Sequence, residues 1–136
     1  MQNAMIIVLL TAMLLITGCR EITRSQLQEY DRGSLKLAVR TQEFNNSGVH
    51  NVDVCITASS SRAFPDDKGQ CLMHGYDISD LSVAWKSDKV IVVSLDCGRI
   101  TSFSNHAVVP IKGSSPVEIY AELRDTCDAS SMVPKH

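Results

Sequence analysis

Neither sign of charge is in excess in this 136-residue chain: 13 Lys and Arg stand against 15 Asp and Glu, for a formal net charge of −2. No like charges run longer than a pair. A nucleic-acid surface needs a basic patch and a polybasic membrane segment needs clustered Lys and Arg; the sequence offers neither. Enzyme signatures are also missing. There is no Gly-x-Ser-x-Gly elbow or Ser-x-x-Lys pair, and no His-Glu-x-x-His, Gly-x-x-x-x-Gly-Lys or Gly-x-Gly-x-x-Gly. No periodic pattern supports an amphipathic helix of three or more turns. These absences argue against an enzyme, a cofactor and a metal.

The histidines do not reverse that reading. His50, His74, His106 and His136 are scattered, with no second ligand at a chelating spacing. A functional His74 would be a base oriented by Asp77 or Asp80; a loop histidine beside a disulfide is the simpler account. Asp66, Asp67, Asp77 and Asp80 lack the Asp-x-Asp-x-Asp rhythm of a calcium loop. Cys97 lies beside Asp96, which disfavours a thiolate nucleophile.

What is present is period-two alternation. Leu35, Leu37 and Val39 alternate with Lys36, Ala38 and Arg40; Val52, Val54 and Ile56 alternate with Asp53, Cys55 and Thr57. Asn45-Asn46-Ser47-Gly48 separates the two runs as a turn. Residues 59–69 are small, turn-forming and charged, and read as an exposed loop. Leu81, Val83 and Trp85 make a further strand, and Val90–Leu95 is a near-continuous apolar run suited to a central one. Residues 99–104, 107–111 and 117–123 complete the series. About seven short strands at roughly 8–12-residue spacing predict an all-β fold, a small antiparallel β-sandwich.

Four cysteines, Cys55, Cys71, Cys97 and Cys127, allow three pairings. Sequential pairing, Cys55–Cys71 with Cys97–Cys127, closes the shorter loops and is favoured. No two cysteines have the close spacing of a zinc knuckle. Two bridges would stabilise the domain by roughly 4–8 kcal/mol, comparable with its whole net stability. The order Cys71, Trp85, Cys97 is similar to the immunoglobulin pattern, but its interval is too short, so an Ig-like architecture is expected and not the family itself.

At the N-terminus, the uncharged residues 4–16 lead into Ile16-Thr17-Gly18-Cys19. The run has the length of a signal-peptide core and falls short of the roughly 20 residues that span a bilayer. The tetrapeptide resembles the lipobox of bacterial lipoproteins, although Met1-Gln2-Asn3 lacks the usual Lys or Arg. The resemblance implies a cleaved signal peptide at 1–18 and lipidation of Cys19. Residues 19–33 would then be a flexible tether, able to reach roughly 45 Å, although Leu27 and Tyr30 could form one helical turn. The β domain would occupy 34–127 and a flexible tail 128–136. Arg20 is not the Asp that resembles an inner-membrane retention signal, which in a Gram-negative host implies the outer membrane, facing the periplasm.

Val54-Cys55-Ile56-Thr57 followed by Cys71-Leu72-Met73-His74-Gly75-Tyr76 looks like small periplasmic lipoproteins described as type VI secretion immunity proteins, with Met73 where Pro would be expected. The resemblance implies a non-catalytic binding protein, an inhibitor or immunity protein against a periplasm-acting toxin or hydrolase. The alternative is a structural or envelope-assembly lipoprotein without a discrete ligand. Partners would be the membrane, through the lipid anchor, and another protein. Arg62 and Phe64 in the 59–69 loop combine charge and apolar area, and are the expected protein contacts.

Overall fold

The computed structural model describes residues 21–61, 64 and 70–127. Cys19, Arg62, the proposed signal peptide and the 128–136 tail lie outside the described residues. The described chain forms nine strands: β1 (Ile22–Arg32), β2 (Leu35–Phe44), β3 (His50–Ala58), β4 (Cys71–Ser79), β5 (Ser82–Ser87), β6 (Val90–Leu95), β7 (Cys97–Phe103), β8 (His106–Val109) and β9 (Val117–Asp125). They make a sandwich of two sheets, a five-stranded one ordered β1-β2-β3-β4-β7 and a four-stranded one ordered β5-β6-β9-β8.

Alternation decides which face each strand buries. Leu37, Val54, Ile56 and Met73 from the larger sheet meet Ile91, Val93, Val109 and Ile119 from the smaller, and all eight are fully buried. Each such side chain contributes roughly 1.5–3 kcal/mol relative to exposure, so this interface holds the sheets together. The expected central strand is found: β6 lies between β5 and β9. The β2–β3 turn takes the expected form, with Asn45, Asn46 and Gly48 all at positive φ, a region that Asn and Gly tolerate.

Two sequence expectations need correction. Residues 22–32 are not a free tether or a helical turn. They are edge strand β1, paired with β2 from Ile22↔Phe44 to Arg32↔Leu35. Glu21 N–H donates to Asn45 Oδ1 at 2.9 Å and Asn45 N–H to the Glu21 carbonyl at 2.8 Å, closing one end. Arg32 closes the other with an ion pair to Asp88 at 2.8 Å. This edge is mostly polar on both faces, with Leu27 and Tyr30 exposed on opposite sides, so no hydrophobic alternation announces the strand, and its backbone ladder supplies the order.

The second correction is β4, where a loop histidine was expected. Pairing runs Val54↔Met73 but Cys55↔Cys71, so Leu72 is an extra residue, a β-bulge. A bulge shifts the phase of alternation, and Leu72 and Met73 are both buried although adjacent in sequence. The pattern is broken at the point where the strand is most firmly packed.

One pair also departs from the antiparallel expectation: β6 runs parallel to β9. The long excursion between them, through β7 and β8, gives the crossover that parallel neighbours require.

Both disulfides follow the favoured pairing. Cys55–Cys71 joins directly opposed residues of β3 and β4, with Cα atoms 3.9 Å apart. Cys97–Cys127 ties the start of β7, in the larger sheet, to the residue region just beyond β9, in the smaller. The first bridge therefore closes a loop within one sheet and the second links the two layers.

Candidate functional site: a charged row across the larger sheet

The outward face of the larger sheet carries one cross-strand row, Leu27↔Arg40↔Asp53↔His74↔Ser102, drawn from β1, β2, β3, β4 and β7. These positions face away from the core because Val39, Val52, Val54 and Met73 beside them face in. Asp53 is the hub. Its Oδ2 accepts from Arg40 Nη2 at 2.7 Å and Nε at 3.1 Å, and its Oδ1 meets His74 Nδ1 at 2.5 Å. The Asp53 side chain is 15% exposed, against 34% for Arg40 and His74. The carboxylate thus sits beneath the two groups that it orders.

An aromatic caps the row. Arg40 Cζ lies 4.1 Å from the centroid of the Phe64 ring, within the range of a favourable cation–π contact. Phe64 is therefore half-buried against the sheet face, and its ring is held by an Arg that Asp53 holds in turn. Whether Arg62 flanks it lies outside the described residues.

A second pair extends the face one row further. Tyr76 follows His74 on the same side of β4 and pairs with Arg99 of β7. Arg99 Nη1 donates to the Tyr76 hydroxyl at 3.1 Å, with the guanidinium 5.6 Å from the ring centroid. That hydrogen bond holds the Arg99 pKa above its ordinary value. Gly75, between the two outward residues, makes this approach possible: a Cβ there would meet the Arg99 carbonyl oxygen at 2.6 Å.

His74 is oriented by Asp53 and not by Asp77 or Asp80, the carboxylates that a functional His74 was expected to use. Asp77 Oδ1 instead accepts from the His50 backbone N–H at 3.3 Å, and Asp77 and Asp80 both occupy positive-φ positions. The Nδ1 of His74 is turned to the carboxylate. Among the described residues no hydroxyl or thiol hydrogen-bonds the ring; Thr101 Oγ1 donates to the His74 carbonyl at 3.0 Å. No group of three potential metal ligands occurs among the described residues. His106 lies on the other sheet, its ring 5.1 Å from that of Tyr120.

A groove elsewhere on the molecule measures about 310 Å³ and runs between β1 and the start of β5, lined by Gln26, Gln28, Tyr30, Thr41, Leu81 and Val83 among others. No carboxylate, His or Cys lines it, so it brings no acid–base or metal-binding group together.

Sequence reasoning missed Arg40, Asp53, Tyr76 and Arg99 as a group. Part of the signal was present. A hairpin folded about Asn46 and Ser47 sets Arg40 opposite Asp53, both at outward positions of strands that alternation identifies. His74 and the Tyr76–Arg99 pair were hidden by the bulge at Leu72. Compared with protein-family models, curated proteins and solved structures, the chain matches none.

Proposed function

We propose that this chain is an exported lipoprotein, anchored through Cys19 at the outer membrane and facing the periplasm, whose β-domain acts by stoichiometric contact with another protein. Inhibition of, or immunity to, a periplasm-acting toxin or hydrolase is the role that we favour. The observation that carries the binding reading is the interlocked set of Arg40, Asp53, Phe64 and His74 on an open sheet face. Arg and aromatic side chains dominate protein-binding hot spots. Here they are already fixed in place, which lowers the entropy that association costs. Two disulfides in a chain of this length are consistent with an oxidising compartment.

The test is capture by the purified protein from envelope extracts, followed by titration of the captured partner. Replacing Arg62 and Phe64 together with Ala is expected to weaken binding by more than about 2 kcal/mol, roughly 30-fold. Because Phe64 rests on the sheet without entering the core, the melting temperature should fall only slightly. Normal binding by the double variant removes this loop from the interface. Catalytic turnover of an envelope substrate by the purified domain overturns the binding class altogether. The address is tested separately: Cys19→Ser should abolish fatty-acid labelling and leave an unprocessed precursor.

A further inference from the structure

With residues 22–32 paired as β1, little chain is left for a tether. Only Arg20 and Glu21 stand between Cys19 and Ile22, so Cys19 and Ile22 are no more than roughly 11 Å apart. Glu21 is itself bound to Asn45 through both of its backbone groups. The end of the larger sheet where β1 starts is therefore held close to whatever carries Cys19. Two of the six exposed large hydrophobic residues among those described, Ile22 and Val49, lie at that end. Ile22 pairs with Phe44, and Phe44 and Val49 line a shallow groove of about 250 Å³ with Asn45, Ser47 and Asn51. The turn 45–49 carries no charge. Its charged neighbours are Glu21, His50 and the Arg24–Glu43 ion pair at 3.6 Å, in which Glu43 is buried and also accepts from the Gly48 N–H at 2.8 Å. At the opposite corner of the same end stand Asp77, which accepts from the His50 N–H, and Asp80, Asp96 and Asp125, close to the ends of β4, β6 and β9.

Resting on the lipid anchor at Cys19 argued for above, we propose that the corner formed by Ile22, Phe44 and Val49 sits on the lipid surface. The strands of the larger sheet then rise from the membrane, and the β1–β2 hairpin at Gly33 and Ser34 points away from it. Acyl chains on Cys19 hold that residue at the headgroup layer, and the short step to Ile22 leaves no room for the domain to stand off. Aliphatic side chains gain by entering the boundary between headgroups and acyl chains, and an uncharged turn costs little to bring there. The other pose open to so short a link lays β1 along the membrane. That would press the free N–H and C=O groups of an edge strand, with Glu29, Asp31 and Arg32, against lipid, where polar groups lose their water partners. The four aspartates at the far corner favour a tilt that lifts them into water. The contact is apolar and requires no anionic lipid. The eleven residues of β1 carry Arg32 roughly 30 Å along the strand from this corner. Trp85 goes with it, its ring centroid 5.4 Å from Arg32 Cζ.

Trp85 is the one tryptophan of the chain and reports on the far end without any substitution. The full chain, labelled with fatty acid in the cell, is reconstituted in phosphatidylcholine vesicles with and without bromine on the acyl chains close to the headgroup. The emission added by Val49→Trp, and that added by Ile22→Trp, should fall at least about twofold in the brominated vesicles, because an interfacial side chain reaches the headgroup–acyl boundary. The emission of Trp85 in the original chain should not change. Nor should that added by Ser34→Trp, at an exposed position of the distal hairpin, which controls for the affinity of tryptophan itself for the interface. Equal quenching at all four positions means that β1 lies flat, and overturns the proposal. So does a chain that takes the label at Cys19 while both the Val49→Trp and Ile22→Trp variants escape quenching; the anchor then stands and the corner contact falls. A chain that takes no fatty acid overturns the anchor itself, and that result is read from the label, independently of any emission.

Discussion

Asp53 has one carboxylate and three hydrogen bonds to side chains on the two neighbouring strands. A charge at 15% exposure is tolerable only because those donors replace much of its lost hydration. Removing it would leave Arg40 half-buried without its counterion and would free the guanidinium that carries Phe64. The cost of stranding a fully buried charge is about 3–5 kcal/mol; with Arg40 and His74 still partly open to water, roughly 1–3 kcal/mol is expected for Asp53→Ala. Urea unfolding should report that loss. The His74→Ala variant, which keeps the Arg40–Asp53 pair, should lose less. Equal stability of Asp53→Ala and the original chain would mean that the row is a surface ornament with no part in holding the face.

At the scale of the element, β1 and β4 are the instructive strands. Alternation made β2, β3 and β9 legible, because each pairs one apolar face with one polar face, and β6 was legible from its continuous apolar run. β1 has no such contrast: as an edge it presents polar residues on both sides and is ordered by its ladder to β2 and by contacts at its two ends. Nothing in single-residue chemistry distinguishes that from a solvated linker. In β4 the contrast exists but is interrupted at Leu72, so half of the candidate site was visible in the sequence and its His74 half was not. Amide hydrogen exchange provides the check on β1. Residues 22–32 should show protection that alternates along the strand, with slow exchange where the N–H faces β2 and fast exchange where it faces solvent. Uniformly fast exchange would return the segment to a tether. Close approach of β4 to β7 gives a second expectation: Gly98→Ala should destabilise the protein by roughly 1–3 kcal/mol. A Cβ there would lie 2.8 Å from the Ile78 Cα, and Gly98 has φ +156°.

For the whole molecule, the two disulfides do different work. By loop-closure entropy each is worth about 3–4 kcal/mol, with sequence separations of 16 and 30. Cys97–Cys127 also fastens one sheet to the other, so the Cys97→Ser, Cys127→Ser double variant should lose more than the corresponding Cys55, Cys71 variant. Denaturant midpoints of the two double variants measure the difference. Alkylation of the unreduced protein should modify none of the four cysteines. The position of β9 has a kinetic meaning as well. It is the last of the described strands in sequence, yet it lies in the middle of its sheet, between β6 and β8. Until it arrives, β6 has a neighbour on one side only and β8 has none. Non-local pairings of this kind are slow to form, and here they wait until Val117–Asp125 is available. A nascent or truncated polypeptide that stops before Val117 therefore cannot complete half of the sandwich. The smaller sheet thus closes only once β9 is in place, and fragments that stop short of it would expose the inner face of the larger sheet.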